Sequence, residues 1–219
     1  MKKIRTLTIV LLCTALCFFG TLVYAAESSA QESAQAKVKT YVEGTDYEVR
    51  AEQKTETPEI REFFSFWCGH CYMLTEPFEM IARAFRNKAE FVRNPVGILG
   101  GAMGEESQKA FAVAKMHGLE EDFYQELMKR IHLDSAIPES HEDYVRMFEG
   151  LGIDAEKFNQ EFNSFPVQGK KAEFDALCDK FKLDAVPEVM VNGKYYIKMD
   201  KLDTVQDLID IISYLLALP

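Results

Sequence analysis

Ile60-Arg61-Glu62-Phe63-Phe64-Ser65-Phe66-Trp67-Cys68-Gly69-His70-Cys71 is the stretch that decides the fold of this chain. Its first part is an apolar run with three phenylalanines, which is typical of a buried β-strand. Apolar residues then recur at helical spacing from Tyr72 to Arg86, with a kink expected at Pro77. The two cysteines therefore lie where a strand passes into a helix.

This position predicts redox chemistry for the cysteine pair. Unpaired backbone N–H groups and the dipole of a helix favour negative charge at its N-terminus. We therefore expect the thiolate of Cys68 to be stabilised, and a protonated His70 would act in the same direction. Cys71, one turn into the helix, should be more buried and less acidic. A thiol–disulfide oxidoreductase needs this arrangement.

Three other interpretations of Cys68-Gly69-His70-Cys71 are weaker. A structural zinc site usually needs a second pair of ligands, and the only later cysteine is Cys178. A c-type haem site needs His directly after the second Cys, where this chain has Tyr72. A purely structural disulfide across so short a loop would remove little chain entropy. Cys178 lies among apolar residues and is interpreted as a buried, inert thiol.

Composition limits the classes of function. Hydrophobic residues make up 47% of the 219 residues and charged residues 27%, which favours a folded domain with a real core. The formal net charge is −10. Such a chain has no excess of positive charge to neutralise phosphates, so nucleic-acid binding is not expected.

The first 25 residues have the pattern of a secretory signal peptide. Lys2, Lys3 and Arg5 precede a short apolar run, and Val23-Tyr24-Ala25 predicts cleavage after Ala25. An uncleaved membrane anchor is the alternative, but Thr and Gly residues dilute the run and it is short for a span. Cleavage would remove two of the five cysteines. An exported protein with so few cysteines is not a disulfide scaffold, so the remaining pair is better explained as reactive.

The rest of the chain divides into four parts. Residues 26–43 are rich in Ser, Ala and Gln and are interpreted as a flexible leader. Residues 44–104 and 166–219 form a first and a second α/β part, and residues 105–165 are interpreted as an all-helical insertion because no strand pattern interrupts them.

The sequence of each part predicts particular strands, helices and turns. The first is predicted to contain strands near 47–49, 60–66 and 90–96, followed by a glycine-rich loop over 97–104. Helices are predicted over 107–117 and 122–132, with further helices capped by Ser140 and Asp154. The last part predicts a helix to Phe181, a type I′ hairpin at Asn192-Gly193, and a final helix capped by Thr204 and Asp207.

Three segments together resemble the DsbA family of bacterial periplasmic thiol:disulfide interchange proteins. They are Phe63 to Tyr72, the Val186-Pro187 pair with the hairpin after it, and Gly100-Gly101 with the following alanine-rich helix. The resemblance implies an α/β thioredoxin fold with an inserted helical subdomain. It also implies that Pro187 is cis and faces the disulfide.

The resemblance carries further expectations about mechanism and partners. It implies that Glu62, on the same face of its strand as Phe64, is buried below the disulfide and moves protons to Cys71; an ion-paired sheet residue is the alternative. It implies reoxidation by a quinone-linked membrane partner. The family commonly has Pro where this chain has Gly69, which leaves the degree of oxidising power open. His117, His132 and His141 are assigned no role.

The leading hypothesis is a periplasmic dithiol oxidase that introduces disulfides into reduced, unfolded exported proteins. It would act as a monomer and without a metal or organic cofactor. Gly69 suggests a disulfide isomerase or reductase as the first alternative, although residues 27–46 are too few for a separate dimerisation domain. A non-catalytic chaperone on the same scaffold is the second alternative, and the intact cysteine pair argues against it.

Overall fold

The computed structural model of this chain describes residues 39–219. The predicted signal peptide and most of the predicted leader lie outside these described residues. A five-stranded sheet has the order β1-β5-β4-β2-β3. Its strands are β1 (Tyr47–Val49), β2 (Glu59–Phe64), β3 (Glu90–Pro95), β4 (Glu188–Val191) and β5 (Tyr195–Ile197). β2 pairs parallel with β3 and antiparallel with β4, so the strand before the cysteines is central and paired on both sides.

Eight α-helices accompany the sheet in the described part of the chain. They are α1 (Gly69–Met73), α2 (Thr75–Phe85), α3 (Gly101–Met116), α4 (Glu120–His132), α5 (His141–Gly150), α6 (Ala155–Phe162), α7 (Phe165–Phe181) and α8 (Val205–Ala217). The mixed sheet with helices inserted between β3 and β4 confirms the predicted α/β class. Within residues 39–219 we find no helix whose length and apolar character would let it span a bilayer.

Alternation along β2 distributes its side chains between different cores. Ile60 packs with apolar residues of α2 and α8, whereas Phe63 points to the opposite face and packs against Phe181 of α7. Phe64 and Phe66 belong to a third cluster formed mainly by the helices between β3 and β4. The end of β2 is therefore shared between the sheet and the helical region, and the cysteines follow directly from this junction.

Local turn and capping signals are confirmed. Asn192 and Gly193 have positive φ values of 54° and 58°, as a type I′ turn between β4 and β5 requires. Capping boxes begin α5 at Ser140 and α8 at Thr204, and the Asp154 side chain accepts from the Lys157 N–H at the start of α6.

The predicted continuous helix from Tyr72 to Arg86 is wrong in one respect. The helix breaks at Leu74, so that Pro77 lies in the first turn of α2 instead of at a kink within one helix. Proline has no N–H to donate, and the first turn of a helix is where N–H groups have no partner in any case. The break therefore removes the conflict that Pro77 would otherwise cause.

The predicted loop over 97–104 is too long, because α3 begins at Gly101 and not near 107. The helical insertion accordingly begins before residue 105. Gly104 explains the difference: a Cβ there would lie 1.9 Å from the Leu99 carbonyl oxygen and 2.4 Å from that of Gly97. The loop packs onto the first turn of α3, and this close approach requires glycine within the helix.

The predicted end of the leader at residue 43 is also too late. Tyr41 is buried, with its ring centroid 5.3 Å from that of Tyr214 in α8. Residues from Tyr41 onward therefore belong to the folded part. Ser, Ala and Gln dominate the segment before it, and the single tyrosine was a weak signal in that composition.

Candidate active site

Cys68 occupies the N-cap position of α1, where the strand–helix turn places its sulfur at the helix terminus. Its Sγ accepts a hydrogen bond from the Cys71 backbone N–H at 3.3 Å. The Cys68 thiol in turn donates to the Val186 carbonyl oxygen at 3.5 Å. The sulfur is half-buried, and the described cysteines are all free thiols, so this is the reduced geometry. An N–H aimed at the sulfur stabilises a thiolate more than a thiol.

Cys71 lies in the interior and is fully buried. Burial raises the pKa of the Cys71 thiol far above its ordinary value, and the neighbouring Cys68 raises it further. The two sulfurs of the motif are thus chemically different: Cys68 can be reached from solvent, and Cys71 cannot hold a charge without help. This difference agrees with the sequence prediction.

The Val186–Pro187 peptide bond is cis, as predicted. The loop that contains it precedes β4, the strand that pairs with β2. This pairing brings the Val186 carbonyl to the Cys68 sulfur, so the loop forms one wall of the site.

His70 is exposed on α1 and lines an open apolar groove beside the cysteines. We call this the Met73 groove; its lining residues include Met73, Leu74, Pro77, Pro187, Met199, Leu202 and Leu208. Met73 is 65% exposed, so its apolar side chain is open to solvent in this groove. The groove therefore offers apolar contact area next to the reactive sulfur.

Glu62 is fully buried within β2, on the face that carries Phe64. Burial raises the pKa of its carboxyl to about 7, although the neighbouring Arg93 guanidinium opposes the shift. Arg93 Nε donates to Glu62 Oε2 at 3.2 Å, while Glu62 Oε1 has no hydrogen-bond partner among residues 39–219. Glu62 is therefore both buried and ion-paired, and its transfer of protons to Cys71 stays a prediction.

Arg93 is a site residue that the sequence analysis missed. It lies directly opposite Glu62 in the β2–β3 pair, and its other end pairs with Glu121 of α4. Its guanidinium carbon lies 3.9 Å from the centre of the Tyr124 ring. Knowing how β2 pairs with β3 would have placed Arg93 beside Glu62. The sequence does not show this register of the two parallel strands.

Comparison with known proteins identifies the family. The family described as DSBA-like thioredoxin domain matches residues 59–210. This chain belongs to that family. The DsbA-like chain is 29% identical over 191 residues to the thiol:disulfide interchange protein DsbA of Dickeya dadantii, covering 83% of this chain and 91% of that one. It is 28% identical over 189 residues to DsbA of Escherichia coli K12, covering 82% and 90%.

Solved DsbA structures have the same fold. The crystal structure of DsbA from Klebsiella pneumoniae superimposes with a TM-score of 0.73 at 26% identity, covering 82% of this chain and all of that one. Proteus mirabilis DsbA, solved with a non-covalently bound peptide, gives a TM-score of 0.74 at 26% identity over the same shares. The DsbA-like chain is therefore a thiol–disulfide oxidoreductase with a thioredoxin fold and a helical insertion.

Two further contacts surround the cysteines of this DsbA-like site. Gly100 adopts φ +85°, and a Cβ there would lie 2.4 Å from the Trp67 ring. The loop before α3 thus packs against the residue that precedes Cys68. His132, at the end of α4, contacts Phe66 and Tyr72, although the sequence analysis gave it no role.

Cys178 is separate from this chemistry. Its thiol donates to the Phe174 carbonyl oxygen at 3.3 Å within α7. Burial raises the pKa of Cys178 to about 11, and nearby Asp175 and Asp179 contribute in the same direction. Cys178 is half-buried and not fully buried as predicted, while its raised pKa supports the prediction of an inert thiol. Within residues 39–219, no three His, Cys, Asp or Glu side chains are arranged to hold a metal ion.

Proposed function

We propose that this protein is a periplasmic dithiol oxidase that introduces disulfides into exported proteins. The observation that carries the proposal is the asymmetry of the cysteine pair: Cys68 is accessible and receives the Cys71 N–H, whereas Cys71 is buried. An oxidase needs a reduced form that is stabilised, since that stabilisation drives electrons from the substrate to the enzyme.

The reaction begins with a Cys68–Cys71 disulfide. A substrate thiolate attacks the Cys68 sulfur, the bond between the two enzyme sulfurs breaks, and Cys71 leaves with the electron pair. A second substrate thiolate then attacks the substrate sulfur of the mixed disulfide and releases Cys68. In total, two electrons and two protons pass from the substrate dithiol to the enzyme, and the substrate gains a disulfide.

Glu62 supplies a proton to Cys71 in this scheme. Cys71 leaves into a buried site where a thiolate is strongly disfavoured, so it must be protonated as the bond breaks. A carboxyl whose pKa is raised to about 7 is partly protonated at neutral pH and is suited to this transfer. The reverse transfer would activate Cys71 when the enzyme is reoxidised.

Reduced, unfolded chains are the proposed substrates, and the Met73 groove is their proposed binding surface. Its exposed apolar residues suit an extended chain, and a relative with a bound peptide supports peptide binding on this fold. The remaining proposals rest on the signal-peptide pattern of residues 1–25 and on the family resemblance. They are export by the cleaved signal peptide of residues 1–25, action as a monomer, and reoxidation by a quinone-linked membrane partner.

A disulfide isomerase or reductase is the second candidate, favoured by Gly69 at the position where the family commonly has Pro. The two functions differ in redox potential. Equilibration of the purified protein with glutathione buffers would separate them. A potential close to that of reducing thioredoxins would contradict the oxidase proposal.

Trapping of substrates tests the assigned order of the cysteines. We expect Cys71→Ser to accumulate mixed disulfides with periplasmic proteins, because Cys68 can still bond to a substrate sulfur and the Cys71 thiol that would attack this bond and return the substrate thiol is missing. Cys68→Ser should form none, since its remaining thiol is buried. Cys178→Ser serves as the matched control and should behave as the wild type. Non-reducing gels show the adducts, and equal trapping by both active-site variants would contradict the assignment.

A further inference from the structure

His132 links the helical insertion to the turn that carries Cys68. It is the last residue of α4, and its Nε2 lies 2.8 Å from the carbonyl oxygen of Phe66. Its ring stacks on Tyr72 at a centroid distance of 4.8 Å and an interplanar angle of 16°. Phe66 and Tyr72 flank the Cys-Gly-His-Cys motif on its two sides, so one side chain contacts both ends of it.

The hydrogen bond acts on one particular peptide group. The Cys68 N–H donates to the Ser65 carbonyl at 3.1 Å, which makes residues 65–68 a β-turn with the Phe66–Trp67 peptide at its centre. In a β-turn the orientation of the central peptide distinguishes one turn type from another. Here the N–H of this peptide lies 3.3 Å from Ser65 Oγ, and its carbonyl receives His132. Both ends of the central peptide are therefore held.

We propose that His132 is a positioning residue for thiol–disulfide exchange. By fixing the Phe66–Trp67 peptide it holds Cys68 at the N-cap of α1, where the sulfur receives the Cys71 N–H. A carbonyl only accepts, so Nε2 carries the proton in this contact. The proposal rests on the proposed oxidase function, because its effect is to stabilise the reduced form.

If His132 only packed against its neighbours, a different property of its side chain would matter. Packing against Tyr72 requires a flat ring, whereas fixing the peptide requires a donor at the position of Nε2. His132→Phe keeps the ring and loses the donor. His132→Gln loses the ring and keeps an amide donor on a side chain of similar reach. The two variants therefore separate the two roles.

The measurement is the equilibrium constant of each variant with reduced and oxidised glutathione. We expect His132→Phe to be a weaker oxidant, with an equilibrium constant lower by about threefold or more. This change corresponds to part of the net free energy of one hydrogen bond. His132→Gln should stay within about twofold of the wild type. His117→Gln is the matched control, because His117 also lies at a helix end and pairs with Glu161, away from the motif.

A second readout follows the sulfur directly. The rate at which iodoacetamide alkylates Cys68 at a fixed pH should decrease in His132→Phe and not in His132→Gln. Equal constants for the wild type and His132→Phe would overturn the proposal, and so would a loss in His132→Gln equal to that in His132→Phe. The wild-type constant tests the oxidase function by itself, so failure of that function is distinguishable from failure of the role of His132.

Discussion

At the scale of single residues, Glu62 gives the protein a pH-dependent stability. Its pKa in the folded protein is about 7, against an ordinary value of 4.5. Between these values the folded protein binds more protons than the unfolded one, so the free energy of unfolding falls as the pH rises through this window. The shift corresponds to about 3 kcal/mol, all of which is lost above pH 7.

Substitution of Glu62 tests this expectation. We expect the free energy of unfolding of Glu62→Gln not to fall in this way as the pH rises. Between acid and mildly alkaline pH, the wild type should therefore lose about 3 kcal/mol of stability relative to the variant. Urea unfolding at a series of pH values measures the difference. The exposed Glu149→Gln controls for the loss of a carboxylate. Parallel pH profiles for the wild type and Glu62→Gln would show that Glu62 ionises as an ordinary carboxyl.

Residue identities predicted some of this site and not the rest. Cys68 and Cys71 were identified because their position at a strand–helix turn can be read from the sequence, and Pro187 was identified because the family resemblance implies a cis proline there. Arg93 and His132 were missed because their roles depend on which elements pack together. Strand alternation placed Glu62 on the face of Phe64 and the family resemblance implied its burial, but its ionic partner required the register of β2 against β3.

At the scale of elements, the N-terminus of α1 is suited to a more rigid residue than Gly69. Gly69 is the first helical residue, and a Cβ added there would meet nothing within 4 Å. Cys68, before it, has φ −93° and ψ 111°, which is the extended conformation that a following proline requires. Proline is favoured at this helical position because its missing N–H would have no helical partner.

We therefore expect Gly69→Pro to raise the free energy of unfolding by about 0.4–1 kcal/mol, by reducing the freedom of the unfolded chain. It should also make the protein a stronger oxidant, since a stiffer turn holds the sulfur at the helix terminus. Denaturant unfolding and glutathione equilibration measure the two effects.

Gly100→Ala is the contrasting variant. Gly100 has φ +85° and lies against the Trp67 ring, so this substitution should lower the free energy of unfolding by about 1–3 kcal/mol. A destabilised Gly69→Pro would contradict the geometry of the turn.

Elements with local signals were predicted well, and those set by packing were not. The Asn192-Gly193 turn and the caps of α5, α6 and α8 depend on a few neighbouring residues, and all are confirmed. The start of α3 depends on the loop that lies across Gly104, and nothing in the local pattern shows that contact. The glycines of residues 97–104 are typical of a loop in sequence. In the structure, glycine within the first turn of α3 allows the preceding loop to pack closely against the helix.

At the scale of the whole molecule, the redox state and the stability of the fold are linked. If the folded protein is more easily reduced than its unfolded chain, then the disulfide must destabilise the fold by the same free energy. We expect the reduced protein to unfold at a higher denaturant concentration than the oxidised protein at neutral pH. The short loop closed by Cys68 and Cys71 gives the oxidised form little compensation from chain entropy.

Paired unfolding curves of the two redox forms test this link. Cys178→Ser is the matched control, because removal of that thiol should leave the difference between the two forms unchanged. An oxidised form that is the more stable at neutral pH would contradict the oxidase proposal and would favour a reductase.

The strand order also determines when the fold can close during synthesis. β2 is central, yet its partner β4 begins at Glu188, and β1 pairs only with β5, which begins at Tyr195. The ribosome delivers the N-terminal end first, so the cysteines emerge long before the strand and the Val186 carbonyl that complete their surroundings. Until then β2 has an unpaired edge and the two thiols lack their final environment. A newly made chain of this enzyme is therefore itself a reduced, unfolded polypeptide, which is the class of substrate proposed for the folded protein.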